Sequence, residues 1–164
     1  MAAETRGATF SPCLAYRYQL WRTWSRRRPV AFLMLNPSTA DAQKNDPTVE
    51  RCERRARAMG AGGVIVVNIF ALRSTDPAAL YRAADPVGPD NDESIVHVCT
   101  AWRPRAVICA WGKHGNLNGR GAAVLSMLRA HGVRPFCLAL NGDGTPKHPL
   151  YVAYAAEPFA MPRA

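Results

Sequence analysis

The stretch AFLMLNPSTAD, Ala31 to Asp41, sets five apolar residues directly against a cluster of turn-forming and polar ones. An unbroken apolar run, rather than an alternating one, marks a strand covered on both faces. Counted from Val30 to Leu35, this run has three counterparts: VIVVNIF (Val64–Phe70), AVICAW (Ala106–Trp111) and FCLAL (Phe136–Leu140). Helical patterns lie between them. Asp46-Pro47 offers a cap and a proline at the first helical position. Val49, Cys52, Ala56 and Met59 then make one apolar stripe, ended by Gly60. Asp76-Pro77 opens a shorter helix through Leu80 and Tyr81. From Asn91, a stripe of Ile95, Val98, Cys99 and Trp102 stops before Pro104, and another of Val124, Leu125 and Leu128 is closed by Gly132. Strands alternating with helices predict an α/β fold, a three-layer α/β/α sandwich around a central, mostly parallel four-stranded sheet. The segment CLAYRYQLWRTW mixes aromatics with arginines and predicts an added N-terminal hairpin or edge strand. It falls in an extension over residues 1–28 of a single expected domain, 1–164.

Composition narrows the function classes. With 164 residues, 48% hydrophobic and 20% charged, the chain reads as one ordered globular unit. No apolar run approaches the roughly 20 residues of a membrane helix. The amino terminus carries Glu4 and no apolar signal core, so a cytoplasmic protein is expected. Five cysteines are scattered without a CxxC pair, and three of them (Cys99, Cys109, Cys137) sit among apolar neighbours. Neither a metal nor another cofactor is expected from that pattern. The net charge of +9, with clusters at Arg26-Arg27-Arg28 and at Arg51, Arg54, Arg55 and Arg57, favours a polyanionic partner over a purely solvated basic surface. Nucleic acid, with DNA favoured, or a nucleotide is that partner; no membrane and no obligate protein partner is inferred.

In an open parallel sheet, ligands bind outside the carboxyl ends of the strands. All four apolar runs lead there into residues suited to that use: NPSTAD, NIFALRSTDP, WGKHGNLNGRG and NGDGTPKHPLYV. Asn36 is either a turn former before Pro37 or a site amide. Asn68 lies inside an apolar run, where an unpaired carboxamide costs roughly 1–3 kcal/mol, so it needs a partner from a ligand or a neighbouring loop. His148 sits on a Gly/Pro-rich loop, and Lys113 with His114 on a glycine-bounded one that can face phosphate. Asp41 and Asp46 are candidates for bonding loop backbone and capping the next helix. The chain has no G-x-x-x-x-G-K-[ST], no paired H-x-E and P-C-x-x-C, no G-x-S-x-G and no H-E-x-x-H, which sets aside several hydrolase classes. Amides, one loop histidine and a few aspartates suit positioning and water activation better than covalent catalysis.

In order along the chain, YRYQLWRTW, FLMLNPSTAD…DPT, VNIFALRSTDP, AWGKHG and HPLYV resemble the bacterial family known as domain of unknown function 1643. The same order of strand-end motifs is, more distantly, similar to the uracil-DNA glycosylase superfamily, a parallel sheet between helices. That resemblance implies hydrolysis of the N-glycosidic bond of a damaged or modified base in DNA, as in base-excision repair, or of a nucleotide. It gives Asn36 the water-positioning role and His148 stabilisation of the departing base. Asn68 would read the base edge and Phe70 would supply a stacking face. Pro37, Ser38, Thr39, Asp41, Trp111, Gly112 and Pro149 would support the loops. Arg73, Lys113, His114, Lys147 and Leu150 would meet phosphate or DNA. The chain departs from the superfamily in lacking a glycine before Asn36 and in carrying Leu150 after His148-Pro149. Two alternatives stand beside this reading: a nucleic-acid or nucleotide-binding module that does not cut, and a small-molecule hydrolase or transferase on the same scaffold.

Overall fold

The computed structural model describes residues 3–163. Two strands at the amino terminus, β1 (Thr5–Phe10) and β2 (Arg17–Thr23), form an antiparallel hairpin. Then follow β3 (Val30–Met34), α1 (Pro47–Ala58), β4 (Gly63–Asn68), α2 (Ala78–Arg82), α3 (Asn91–Thr100), β5 (Ala106–Cys109), α4 (Arg120–Ala130), β6 (Pro135–Cys137) and β7 (Phe159–Ala160). Short 3-10 turns cover Lys113–Gly119 and Pro149–Tyr151.

The strands make one mixed sheet in the order β1-β2-β4-β3-β5-β6-β7. Its centre, β4-β3-β5-β6, is parallel, and these are the four apolar runs of the sequence. The sheet is nevertheless larger than the four strands expected. The N-terminal hairpin joins it whole, β2 running antiparallel to β4, and the tail returns as β7, antiparallel to β6. A two-residue strand is too short to show any periodicity.

Alternation along β3 assigns the two faces. Val30, Phe32 and Met34 pack with Val49, Cys52 and Ala56 of α1. Ala31 and Leu33 pack with Ile95, Val98 and Cys99 of α3 and with Val124 and Leu128 of α4. Both faces are therefore covered, which is why the runs are continuously apolar. Asp46 caps α1 through Val49 N at 2.8 Å, and Pro47 occupies its first turn. The strands stop earlier than the runs because Ile69, Phe70, Ala110, Trp111 and Leu138 stay buried after leaving the ladder.

Register fixes what lies at the carboxyl rim. Met34 pairs Asn68 and Leu33 pairs Cys109, so three central strands end level with one another. The loops that follow emerge side by side.

Candidate functional site

Those loops enclose a cavity of about 730 Å³. Asn36 and Ser38 come from the loop after β3, and Ser74, Thr75 and Pro77 from that after β4. Trp111 to His114 follow β5, and Asn141, Lys147, His148, Leu150 and Tyr151 follow β6. Behind it lies a recess of about 40 Å³ bounded by Arg17, Asn36, Asp46, Thr48, Asn68 and His148, among others. Asn36, Ser38, Thr48 and His148 border both spaces. Residues 36, 68 and 148 thus surround one hollow at one rim of the sheet.

Asn36 is pinned. Its Nδ2 donates to Ser74 O (3.0 Å), Pro37 O (3.2 Å) and Leu72 O (3.4 Å), tying the first loop to the second. A reversed amide would set its oxygen against three carbonyl oxygens, so the orientation is decided by charge. No described residue donates to Oδ1, which remains an acceptor on the cavity wall. Asn36 therefore braces the turn while leaving its Oδ1 without a donor.

Asn68 is 2% exposed and borders only the recess. Its backbone carbonyl accepts from Asn91 Nδ2 at 2.8 Å, but its own Oδ1 is buried without a partner. Unlike Asn36, it has no hydrogen bond from the described residues to fix the amide.

His148 caps the turn Pro149–Tyr151, its Nδ1 accepting from Leu150 N at 3.3 Å. That contact leaves the proton on Nε2. Burial lowers the pKa of the ring below its ordinary 6.5, opposed by the Asp46 carboxylate. At neutral pH His148 is an uncharged N–H donor.

The third loop is built on Trp111, 3% exposed. A Cβ on Gly115 would lie 2.0 Å from Trp111 Cδ1 and one on Gly121 would lie 2.9 Å from its Nε1, so both positions must be bare for the indole to seat. Gly112 turns the chain at φ +77, and its N–H donates to Pro146 O at 2.8 Å, joining this loop to the His148 loop. Lys113, His114, Lys147 and Leu150 line the mouth. His114 Nδ1 and Tyr81 Oη are 2.9 Å apart.

Other expected residues stand elsewhere. Phe70 is fully buried in the core with Ile69 and Leu80, so it offers no face to a base. Tyr151, 78% exposed on the cavity rim, is the aromatic surface present instead. Arg73 lines neither space: its guanidinium donates to Leu14 O and lies 4.8 Å from the Phe10 ring centroid, holding the N-terminal hairpin. Asp41 accepts from Gln43 N and Lys44 N, which lower its carboxyl pKa, and does not line the hollow. Thr39 is exposed outside it. Pro37 and Pro149 are buried and act through their carbonyls, Pro37 O accepting from Ser74 N and Pro149 O from Arg51 Nε.

Several arginines of the basic clusters are structural. Arg51 reaches Pro149 O (2.7 Å) and Val152 O (2.5 Å), and Arg55 reaches Val152 O (2.6 Å) and Ala153 O (3.0 Å). Both also lie over the Tyr154 ring. Arg28 holds Arg103 O and Pro104 O, and Arg54 and Arg57 pair with Glu50 and Glu53. Buried Arg22 gathers Asp41 O (2.7 Å), Trp21 O (2.9 Å) and Asn45 Oδ1 (3.0 Å). These contacts account for part of the arginine excess without any polyanion. Arg17, at the start of β2, went unread as a site residue yet borders the recess at 2% exposure. Burial pulls its guanidinium down to about 10, with Asp46 opposing.

Among the described residues no group of three or more His, Cys, Asp or Glu is placed to hold a metal ion, and no helix is long and apolar enough to cross a membrane. The chemistry on offer is a fixed acceptor, an uncharged donor, an unfixed amide and a buried cation. No curated protein and no solved structure matches the chain, so the likeness to the uracil-DNA glycosylase superfamily rests on the order of strand-end residues alone. The model of a protein family of unknown function, DUF1643, matches residues 17–150, most of the chain and the strand-end loops just described up to Leu150, and the chain belongs to that family.

Proposed function

We propose that this hollow hydrolyses an N-glycosidic bond, in a damaged or modified base of DNA or in a nucleotide. The observation that carries the reading is the meeting of Asn36 Oδ1 and neutral His148 on one cavity wall. The sugar–base bond breaks towards an oxocarbenium-like sugar, and its electron pair leaves with the base. His148 Nε2–H donates a hydrogen bond to that developing negative charge, a contact worth roughly 3–4 kcal/mol in a dry site. Asn36 accepts one hydrogen of a water and aims its oxygen at the sugar carbon. The water's proton finally goes to the released base, so the reaction needs no side chain to gain or lose one. Tyr151 provides apolar surface for the ring. A base within a duplex must first be flipped out, at a cost of a few kcal/mol.

The test is release of free base from oligonucleotides and nucleotides bearing uracil, hypoxanthine or hydroxymethylated bases, with enzyme in excess. Release that is lost in His148→Ala supports hydrolysis; no release from any of them refutes it.

One observation favours the second reading, a module that binds without cutting. Asn36 is an amide and cannot take up a proton, so nothing at its position is a general base. Ligand binding that survives Asn36→Ala and His148→Ala, with no product, would select that reading.

A further inference from the structure

We propose that the recess behind the main cavity is a binding site for a terminal oxyanion, gripped by the buried guanidinium of Arg17. This goes beyond the hydrolysis proposed above, because binding there requires no bond to be broken.

Arg17 Nη1 is used, donating to Ala40 O at 2.8 Å. Its Nε is buried with no partner, and no described residue accepts from Nη2. No carboxylate of the described residues pairs with it within 4.0 Å. An arginine so enclosed is costly unless a counter-charge completes it. What is left open is the Nε–Nη2 edge, the planar fork whose two parallel N–H groups match two oxygens of a carboxylate or phosphate.

Two further features point the same way. Thr48 and Val49, in the first turn of the 12-residue helix α1, border the recess, bringing the positive end of its dipole to the same space. Asn68 Oδ1 is buried and orphaned on the opposing strand end, and its unfixed amide can turn Nδ2 towards an anion. At about 40 Å³ the recess holds roughly three water-sized sites, enough for a carboxylate or the outer oxygens of a phosphate. The group must end a ligand, since a chain continuing on both sides cannot fit there. The rest of the ligand would lie in the 730 Å³ cavity across the shared wall of Asn36, Ser38, Thr48 and His148.

Asp46 also borders the recess and opposes an anion, although its side chain is engaged with Val49 N. That opposition supplies a test. Asn caps a helix as well as Asp does, so Asp46→Asn removes the competing charge and keeps the cap.

Calorimetric titration of the full chain with inorganic phosphate and ribose 5-phosphate forms one arm, and with acetate and benzoate the other. Binding in either arm is expected to weaken about tenfold or more in Arg17→Lys, which loses the fork, and to tighten in Asp46→Asn. The arm that binds identifies the source of the oxyanion. No binding in either arm, equal affinity in Arg17→Lys, or weaker affinity in Asp46→Asn overturns the proposal. If Arg17→Lys does not fold, the Nε–H resonance of Arg17 in the unaltered protein decides. A shift on titration supports the site, and an unmoved resonance refutes it.

Discussion

Replacing Asn36 tests the amide cradle directly. Two N–H groups serve three carbonyl oxygens at 3.0, 3.2 and 3.4 Å, so truncation strips about two net hydrogen bonds and takes the donor from Leu72 O and Ser74 O, while Pro37 O keeps Ser74 N. At about 0.5–1.5 kcal/mol each, Asn36→Ala should cost about 1–3 kcal/mol. In a chain of this length each kcal/mol lowers Tm by about 2–4 °C, so the expected drop is about 2–12 °C. Asn36→Asp should be worse at pH 8, because it aims a negative oxygen at the same three carbonyls. The introduced carboxyl would then have a folded pKa above its unfolded value of about 3.9. The corresponding stability is complete below that unfolded value and is lost as pH rises through the raised one. Thermal melts of the two variants between pH 4 and 8 measure this. Full stability of Asn36→Asp at pH 8, or stability that climbs with pH, would show that the carbonyls do not converge on nitrogen and that Oδ1 is not what faces the cavity.

His148 has its folded pKa below 6.5, so the stability it contributes is present above that value and is lost as pH falls through the lowered one. The loss on acidification should be shallower in His148→Gln, measured by urea melts across that range. Gly115→Ala forces Trp111 aside, costing about 1–3 kcal/mol by overpacking and changing the intrinsic fluorescence. Arg22→Met should cost about 2–4 kcal/mol and speed amide exchange between Asp41 and Asn45, whose oxygens lose their donor. Of five cysteines only Cys13 is exposed, its pKa lowered chiefly by the Ser11 hydroxyl, while burial raises the other four. A thiol reagent should therefore titrate one group in the native protein and five in denaturant.

The parallel centre of the sheet was legible because burial on both faces writes itself as uninterrupted apolar runs, and α1 because Asp46-Pro47 announces its start. Strand-end loops followed from the topology, and Asn36 and His148 from those loops. Phe70 was a stacking candidate through the superfamily resemblance alone. The ladder ends at Asn68, however, and Ile69 and Phe70 both turn into the same core. Arg17 was invisible for a different reason. In RYQLWRT it reads as the outward arginine of an edge strand, and only the folding of Ala40 to Thr48 over it makes it internal. The basic clusters were legible only in part, since sequence cannot tell a guanidinium that faces solvent from one that holds a carbonyl, as Arg28, Arg51 and Arg55 do.

The grip of Arg51 and Arg55 on the carbonyls of Pro149, Val152 and Ala153 has a practical corollary. Each contact couples a full charge to a dipole over a short, partly shielded span, and added electrolyte weakens such contacts far less than attraction between exposed ions. The segment bearing His148 should therefore keep its seat at ionic strengths that strip a polyanion from the surface. A fall in the proposed hydrolysis as sodium chloride is added would then report on how the ligand is captured, and not on a dislodged histidine.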